Sequence, residues 1–230
     1  HVNPDGDALG SMLGLAEVLK TQGKDVITAV DGGMLPEFMY LPGAESVYAS
    51  LDNVELEIDL TIAVDCGDES RMGDVGQAAK KTATPLINLD HHRTNTLFGD
   101  ANLVDLRTVA AAEGVYDWLN ALDIEINEPI ALCLLTGLVT DTLCFRTSNV
   151  TSDTLGKAQH LMVFGASISN IVQRTIDRRP YAGMKLWALV MPTVQLEDRV
   201  IWATITRDMY EQAGYEIEDD AGLVSMLVQT

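Results

Sequence analysis

The sequence predicts an α/β fold: a parallel sheet with helices on both faces, followed by the start of a smaller C-terminal α/β domain. Three observations predict it. Short apolar runs, Leu60 to Val64 and Leu86 to Leu89, alternate with segments of helical periodicity, and strands without polar alternation are those buried on both faces. Acids and histidines stand directly after these runs, where open parallel sheets gather their functional groups. After Pro192 the pattern changes to that of a β-hairpin.

Taken in order, Leu9, Met12, Leu13, Leu15, Ala16 and Leu19 recur at helical spacing from Ala8 to Gln22, and Gly23 ends that helix. Asp25 to Val30 reads as a short β-rich run. The runs ending at Val64 and Leu89 are the next strands, with helical segments between them. Ala110 to Leu122 and Glu128 to Thr140 are helices, the second with Pro129 in its first turn. Thr151 to Phe164 is another, and Ser167 to Leu189 is mostly helical, carrying the basic residues Arg174, Arg178 and Arg179. Then Thr193 to Leu196, a turn at Glu197-Asp198-Arg199 and Val200 to Ile205 form the hairpin. The domain change is placed near residue 190, giving a first domain over 1–190 and the beginning of a second over 191–230.

A chain of 230 residues, 47% hydrophobic and 21% charged, can bury a core, which excludes wholesale disorder. It has no apolar stretch near the ~20 residues that span a bilayer and no basic-then-apolar leader. Three unpaired cysteines fit a reducing compartment, so a cytoplasmic protein without a membrane partner is expected. The net charge of −19 repels nucleic acid globally. A polyanionic substrate would therefore need a local positive centre, such as bound metal. His1 lies inside the strongest motif and Leu223 to Val228 reads as an unfinished element, so a fragment lacking a short N-terminal and a longer C-terminal piece is expected.

That centre has candidates. The chain opens His1-Val2-Asn3-Pro4-Asp5-Gly6-Asp7 before a helix; one strand ends in Asp65, the next in Asp90-His91-His92, and Asp141 closes a helix. Three of the four histidines fall in these motifs. Carboxylates with imidazoles and no thiolate suit Mn²⁺, and also Mg²⁺ or Co²⁺, better than structural zinc. Six ligands, His1, Asp5, Asp7, Asp65, His91 and Asp141, exceed the needs of one ion and fit two sharing a carboxylate. Pro4 would stiffen the loop and Gly6 permit a tight turn. Each acid also has a plainer reading: Asp5 or Asp7 as helix caps, Asp65 as a cap, Asp141 as a helix end. Cys66 and Cys144 read as buried fillers, His160 as structural or exposed, and Trp118, Trp187 and Trp202 as core.

Together these motifs resemble the DHH phosphoesterases, whose naming triplet is here Asp90-His91-His92. His1 to Ala8 resembles the family's first motif, Val64-Asp65-Cys66-Gly67-Asp68 its second, and Gly137 to Thr142 with Phe145-Arg146 its fourth. The chain is most similar to the short NrnA-like members. The resemblance implies hydrolysis of short oligoribonucleotides, or of the 3′-phosphate of 3′-phosphoadenosine 5′-phosphate, by a hydroxide activated between two metals. It also implies His1 and Asp5 on one ion, Asp7, His91 and Asp141 on the other, Asp65 bridging, His92 facing the phosphate and Asp90 orienting the pair. Arg93 and Arg146 would attract further phosphates. Duplex nucleic acid is not an expected partner, and a homodimer is compatible with the family though no residue signals one. The alternatives are a manganese-dependent pyrophosphatase or polyphosphatase, a dinucleotide phosphodiesterase, and a non-catalytic nucleotide-binding module.

Overall fold

The computed structural model describes every residue except Asn53, Glu55, Leu56, Ala83, Arg179, 217–219 and 228–230. The chain divides into two compact units, His1–Ile176 and Asp177–Thr230.

The first unit begins with α1 (Gly6–Thr21), capped by Asp5, whose Oδ1 accepts from the amides of Asp7 at 2.9 Å and Ala8 at 3.0 Å. Asp25 to Val30 does not form a strand. It makes a single parallel bridge, Ala29 to Tyr48, because no other segment among the described residues runs alongside to extend the ladder. The sheet is built from β1 (Thr61–Val64), then, across α2 (Gly73–Lys80), β2 (Leu86–Asp90), then β3 (Ala101–Val104). All pair in parallel in the order β1-β2-β3, with Val64 beside Leu89 and Asp90 beside Val104. The third strand escapes sequence reading because it lies at the sheet edge, alternates exposed and half-buried residues, and lacks a continuous apolar run.

Four helices follow: α3 (Ala111–Ala121), α4 (Glu128–Asp141), α5 (Ser152–Val163) and α6 (Ile168–Arg174). Asn127 caps α4, its Oδ1 3.0 Å from the Ile130 amide, and Thr151 and Thr154 form a reciprocal cap on α5. Helix α4 is apolar on every side and buried. Ile130, Leu134, Leu135 and Leu138 are fully enclosed with Leu119, Leu161 and Ile171, and each such side chain contributes about 1.5–3 kcal/mol of burial.

One packing contact decides where functional groups meet. Gly6, Gly10 and Gly14 lie four apart on α1 and face α4. A β-carbon on Gly6 would collide with Thr140, and one on Gly10 with the Cys133 carbonyl. On Gly14 it would sit 2.9 Å from a Leu134 methyl. Across the contact, a β-carbon on Gly137 would lie 2.5 Å from the Ala112 methyl and 2.7 Å from Asp7 Oδ1. The helices thus run antiparallel, backbone to backbone, with the first turn of α1 beside the last turn of α4. Gly6 is therefore the first residue of a closely packed helix, and not the tight turn expected.

In the second unit, α7 (Tyr181–Val190) precedes the hairpin of β4 (Gln195–Glu197) and β5 (Val200–Trp202), paired antiparallel with Glu197 beside Val200. Then come α8 (Arg207–Ala213) and α9 (Leu223–Leu227). Leu186, Val190, Ala213, Tyr215 and Leu223 form its core, with Trp187 packed against them. Trp202, expected in a core, is 40% exposed, because a two-stranded hairpin buries at most one face. Among the described residues no helix is long and apolar enough to cross a membrane.

Candidate metal centre

The first acid of the centre does more than the sequence suggests. Asp7 is 1% exposed. Its Oδ2 accepts from the Ala111 amide at 2.6 Å and its Oδ1 from the Ala112 amide at 2.9 Å, so it caps α3 across the fold. Ala110, the residue at the cap position of α3, has no side chain able to do this. A helix N-terminus favours an anion, which stabilises the carboxylate there.

Asp65 follows β1 directly, held by its amide to the Leu89 carbonyl at 2.8 Å. Its φ is +59°, left-handed backbone that an aspartate tolerates better than most residues and that indicates a functional constraint. Its Oδ1 lies 3.5 Å from His91 Nε2 and 3.7 Å from His92 Nδ1, is buried, and accepts no hydrogen bond.

At the end of β2 the triplet divides its work. The His92 Nδ1 lies 2.7 Å from Asp90 Oδ1. His91 turns the other way, its Nε2 3.7 Å from Asp7 Oδ2. The two rings stand 4.5 Å apart between centroids. Asp141 closes α4 beside them, brought there by the glycine contact with α1. Ligand atoms of Asp7, His91 and Asp141 lie within 4.8 Å of one another, as do those of Asp65, Asp90, His91 and His92.

Charge crowding marks the cluster. Burial first, then the neighbouring Asp65 and Asp141 carboxylates, push Asp7 well above the usual carboxylate range. Burial raises Asp65 also, and carries Asp141 up to about 6 with help from Asp5 and Asp65. Burial works to lower His91, yet the adjacent Asp65 carboxylate and the charges of Asp7 and Asp141 take it up to about 9. Asp90 goes the other way: against burial, hydrogen bonds from Asn95 and His92 hold it low. Three carboxylates raised together, two buried and Asp141 half-buried, are a site short of positive charge. The unpartnered Asp65 Oδ1 and the unpartnered buried Nδ1 of His1 are free donor atoms of the kind divalent cations take. The donor set fits such ions.

Other sequence candidates are placed differently. His1 and Asp5 join neither of the two close ligand groups, and Asp5 serves its own helix with one oxygen. Arg93 is exposed on the turn after the triplet; Arg146 is exposed after α4, its Nε donating to the Leu143 carbonyl at 2.6 Å. Arg174 stacks on the Tyr40 ring, 5.0 Å from its centroid. Arg178 lies in the second unit, and Arg179 lies outside the described residues. His160 is exposed and bonds Tyr116 at 2.8 Å. Cys66 is a buried filler, its thiol pushed up to about 12 by burial, while Cys144 is half-buried in a left-handed turn.

Sequence reading missed two groups. Asn95 Nδ2 lies 2.6 Å from Asp90 Oδ2; an asparagine five residues beyond an aspartate is a signal only when the loop is known to fold back. Lys157, 11% exposed, bonds Glu113, Asp117 and Asp153 and ties α3 to α5. On α5 alone it reads as a surface charge.

Comparison with known proteins identifies the family. The DHH family, N-terminal domain, matches residues 1–138. The bifunctional oligoribonuclease and PAP phosphatase NrnA of Thermus thermophilus is 34% identical over 96% of this chain and 64% of its own length. Its namesake in Bacillus subtilis is 28% identical over 99% of this chain and 71% of its own. The chain thus spans just under two thirds of the Thermus relative. A crystal structure of an exopolyphosphatase-related protein from Bacteroides fragilis superposes with a TM-score of 0.91, covering all of this chain and 71% of that one. At 21% identity that likeness shows the fold alone.

Proposed function

The chain belongs to the DHH family, and on that premise we propose that it is a divalent-metal-dependent phosphoesterase of short oligoribonucleotides and of the 3′-phosphate of 3′-phosphoadenosine 5′-phosphate. The observation that carries the reading is the convergence of four separate segments in two close groups that share His91, one of Asp7, His91 and Asp141, the other of Asp65, Asp90, His91 and His92, with the buried Asp65 Oδ1 accepting no hydrogen bond. The names of the Thermus and Bacillus relatives support the substrate class.

Asp7, His91 and Asp141 would hold one cation, His1 and Asp5 a second, with Asp65 shared. Mn²⁺ suits this oxygen and nitrogen set, and Mg²⁺ or Co²⁺ follow. Bound there, such ions supply neutralising charge to phosphoryl oxygens and make a water acidic enough to serve as nucleophile near neutral pH. The protein's own part is positioning. The left-handed backbone at Asp65 aims its carboxylate inward, and α3 clamps both oxygens of Asp7. Asp90 fixes the His92 ring, which is partly exposed and available to a substrate phosphate. Arg93 and Arg146, exposed on the loops after the triplet and after α4, add positive charge for further phosphates in an otherwise acidic protein. Residues 191–230 belong to a substrate-binding domain, and the protein works in the cytoplasm.

The test is phosphate or mononucleotide release from a dinucleotide, from 3′-phosphoadenosine 5′-phosphate and from pyrophosphate, in parallel, with Mn²⁺ and with chelator. Turnover of the first two that chelator abolishes is the expected result. Release from pyrophosphate alone, or binding without turnover, refutes the reading.

A further inference from the structure

A chain of side-chain amides runs behind the His92 ring. Asn88, in the middle of β2, is fully buried, which is unusual for an amide on an interior strand of a parallel sheet. Its Nδ2 donates to the Cys66 carbonyl at 3.0 Å, and its Oδ1 accepts from Asn95 Nδ2 at 2.7 Å. The same Asn95 nitrogen donates to Asp90 Oδ2 at 2.6 Å and lies 3.2 Å from the Cys66 carbonyl. Asn95 Oδ1 accepts from the Leu97 amide at 2.7 Å. Asp90 Oδ1, finally, lies 2.7 Å from His92 Nδ1.

The direction of every bond in this chain is forced. A backbone carbonyl can only accept, so Asn88 must point its NH₂ at Cys66 and its oxygen at Asn95. A backbone N–H can only donate, so Asn95 must point its oxygen at Leu97 and its NH₂ at Asn88 and Asp90. The Asp90 carboxylate, held by Asn95 on one oxygen, offers the other as an acceptor. His92 Nδ1 must then carry the hydrogen, which leaves Nε2 as the free lone pair of the neutral ring.

We infer that Asn88 and Asn95 are positioning residues that act through Asp90 to hold His92 in a single orientation and in the Nδ1–H tautomer, leaving Nε2 as the free acceptor of the ring. This rests on the proposed phosphoesterase function only for its consequence in turnover; the tautomer itself is a property of the metal-free protein.

The experiment is long-range ¹H–¹⁵N correlation of histidine-labelled, metal-free protein at a pH where His92 is neutral, with His92→Ala to assign its signals. Wild type should show a protonated Nδ1 and a bare Nε2 at His92. Asn95→Ala, at a half-buried position, and Asn88→Leu, close in shape, should each give averaged or exchanged nitrogen signals at that residue. In the substrate assay both should lose about 10- to 100-fold in kcat with a smaller change in KM. A wild-type ring protonated at Nε2, or an Asn95→Ala protein whose His92 signals match wild type, overturns the inference. These outcomes are read whether or not any substrate is hydrolysed, so failure of the inference and failure of the functional reading are separable. Should Asn88→Leu not fold, Asn95→Ala decides.

Discussion

Gly137→Ala is the substitution in which fold and function are most tightly joined. The added methyl would sit 2.5 Å from the Ala112 methyl and 2.7 Å from Asp7 Oδ1. Carbon atoms in contact settle at about 3.5–4.0 Å, so α4 must retreat from α1 and α3 by roughly 1 Å. Overpacking of this kind costs about 1–3 kcal/mol, set against a gain of about 1 kcal/mol from replacing a helical glycine with alanine. Gly156→Ala isolates the gain, since a β-carbon there meets nothing within 4 Å on α5. Urea denaturation of both should therefore show Gly156→Ala more stable than wild type and Gly137→Ala below it, the two separated by about 1–3 kcal/mol. Because the same shift parts Asp7 from Asp141, Mn²⁺-dependent turnover should fall on the order of 100-fold in Gly137→Ala only. Two variants equally stable and equally active would refute the close approach of α1 and α4, and with it the route by which the carboxylates meet.

Asp65→Asn keeps the left-handed backbone, which asparagine tolerates, but removes the charge; hydrolysis should drop to a few per cent or less, and titration calorimetry should show weakened Mn²⁺ binding. Asp5→Ala should cost about 1 kcal/mol through loss of the α1 cap, whereas Asp5→Asn keeps the cap. Unchanged Mn²⁺ dependence in Asp5→Asn would therefore remove Asp5 from the ligand set. In metal-free protein the folded state holds extra protons on Asp141, raised to about 6, and on His91, raised to about 9. Its Tm should then fall as pH rises from about 4 to 6, and again from about 6.5 to 9. Asp141→Asn should flatten the first limb in calorimetric scans with chelator; a Tm rising across that range contradicts the charge crowding. Lys157→Met removes the ammonium 3.1 Å from the buried Glu113 carboxylate, which keeps its hydrogen bonds from Val109 and Thr154, and should cost about 3 kcal/mol in urea denaturation.

Much of the first unit was legible because its signals are local. Helical periodicity from Ala8, Pro129 in the first turn of α4, and the apolar runs before Asp65 and Asp90 each depend on a few consecutive residues. A strand that ends in an acid marks the functional edge of a parallel sheet wherever the sheet stands. Asp25 to Val30 failed for the opposite reason. β-propensity expresses a fit to neighbouring strands, and among the described residues this run bridges only to Tyr48.

The sequence by itself determined which acids and imidazoles stand at the ends of which elements, because spacing along the chain encodes periodicity and termination. Only the tertiary structure decided which of them meet. Asp7 caps α3 from 104 residues away because three glycines let α1 lie against α4. Asn88 and Asn95, anonymous in the sequence, stand behind Asp90 because the loop after β2 folds back on its own strand. Such contacts depend on the depth to which helices and loops can approach, a property of the packed surfaces that no single segment carries.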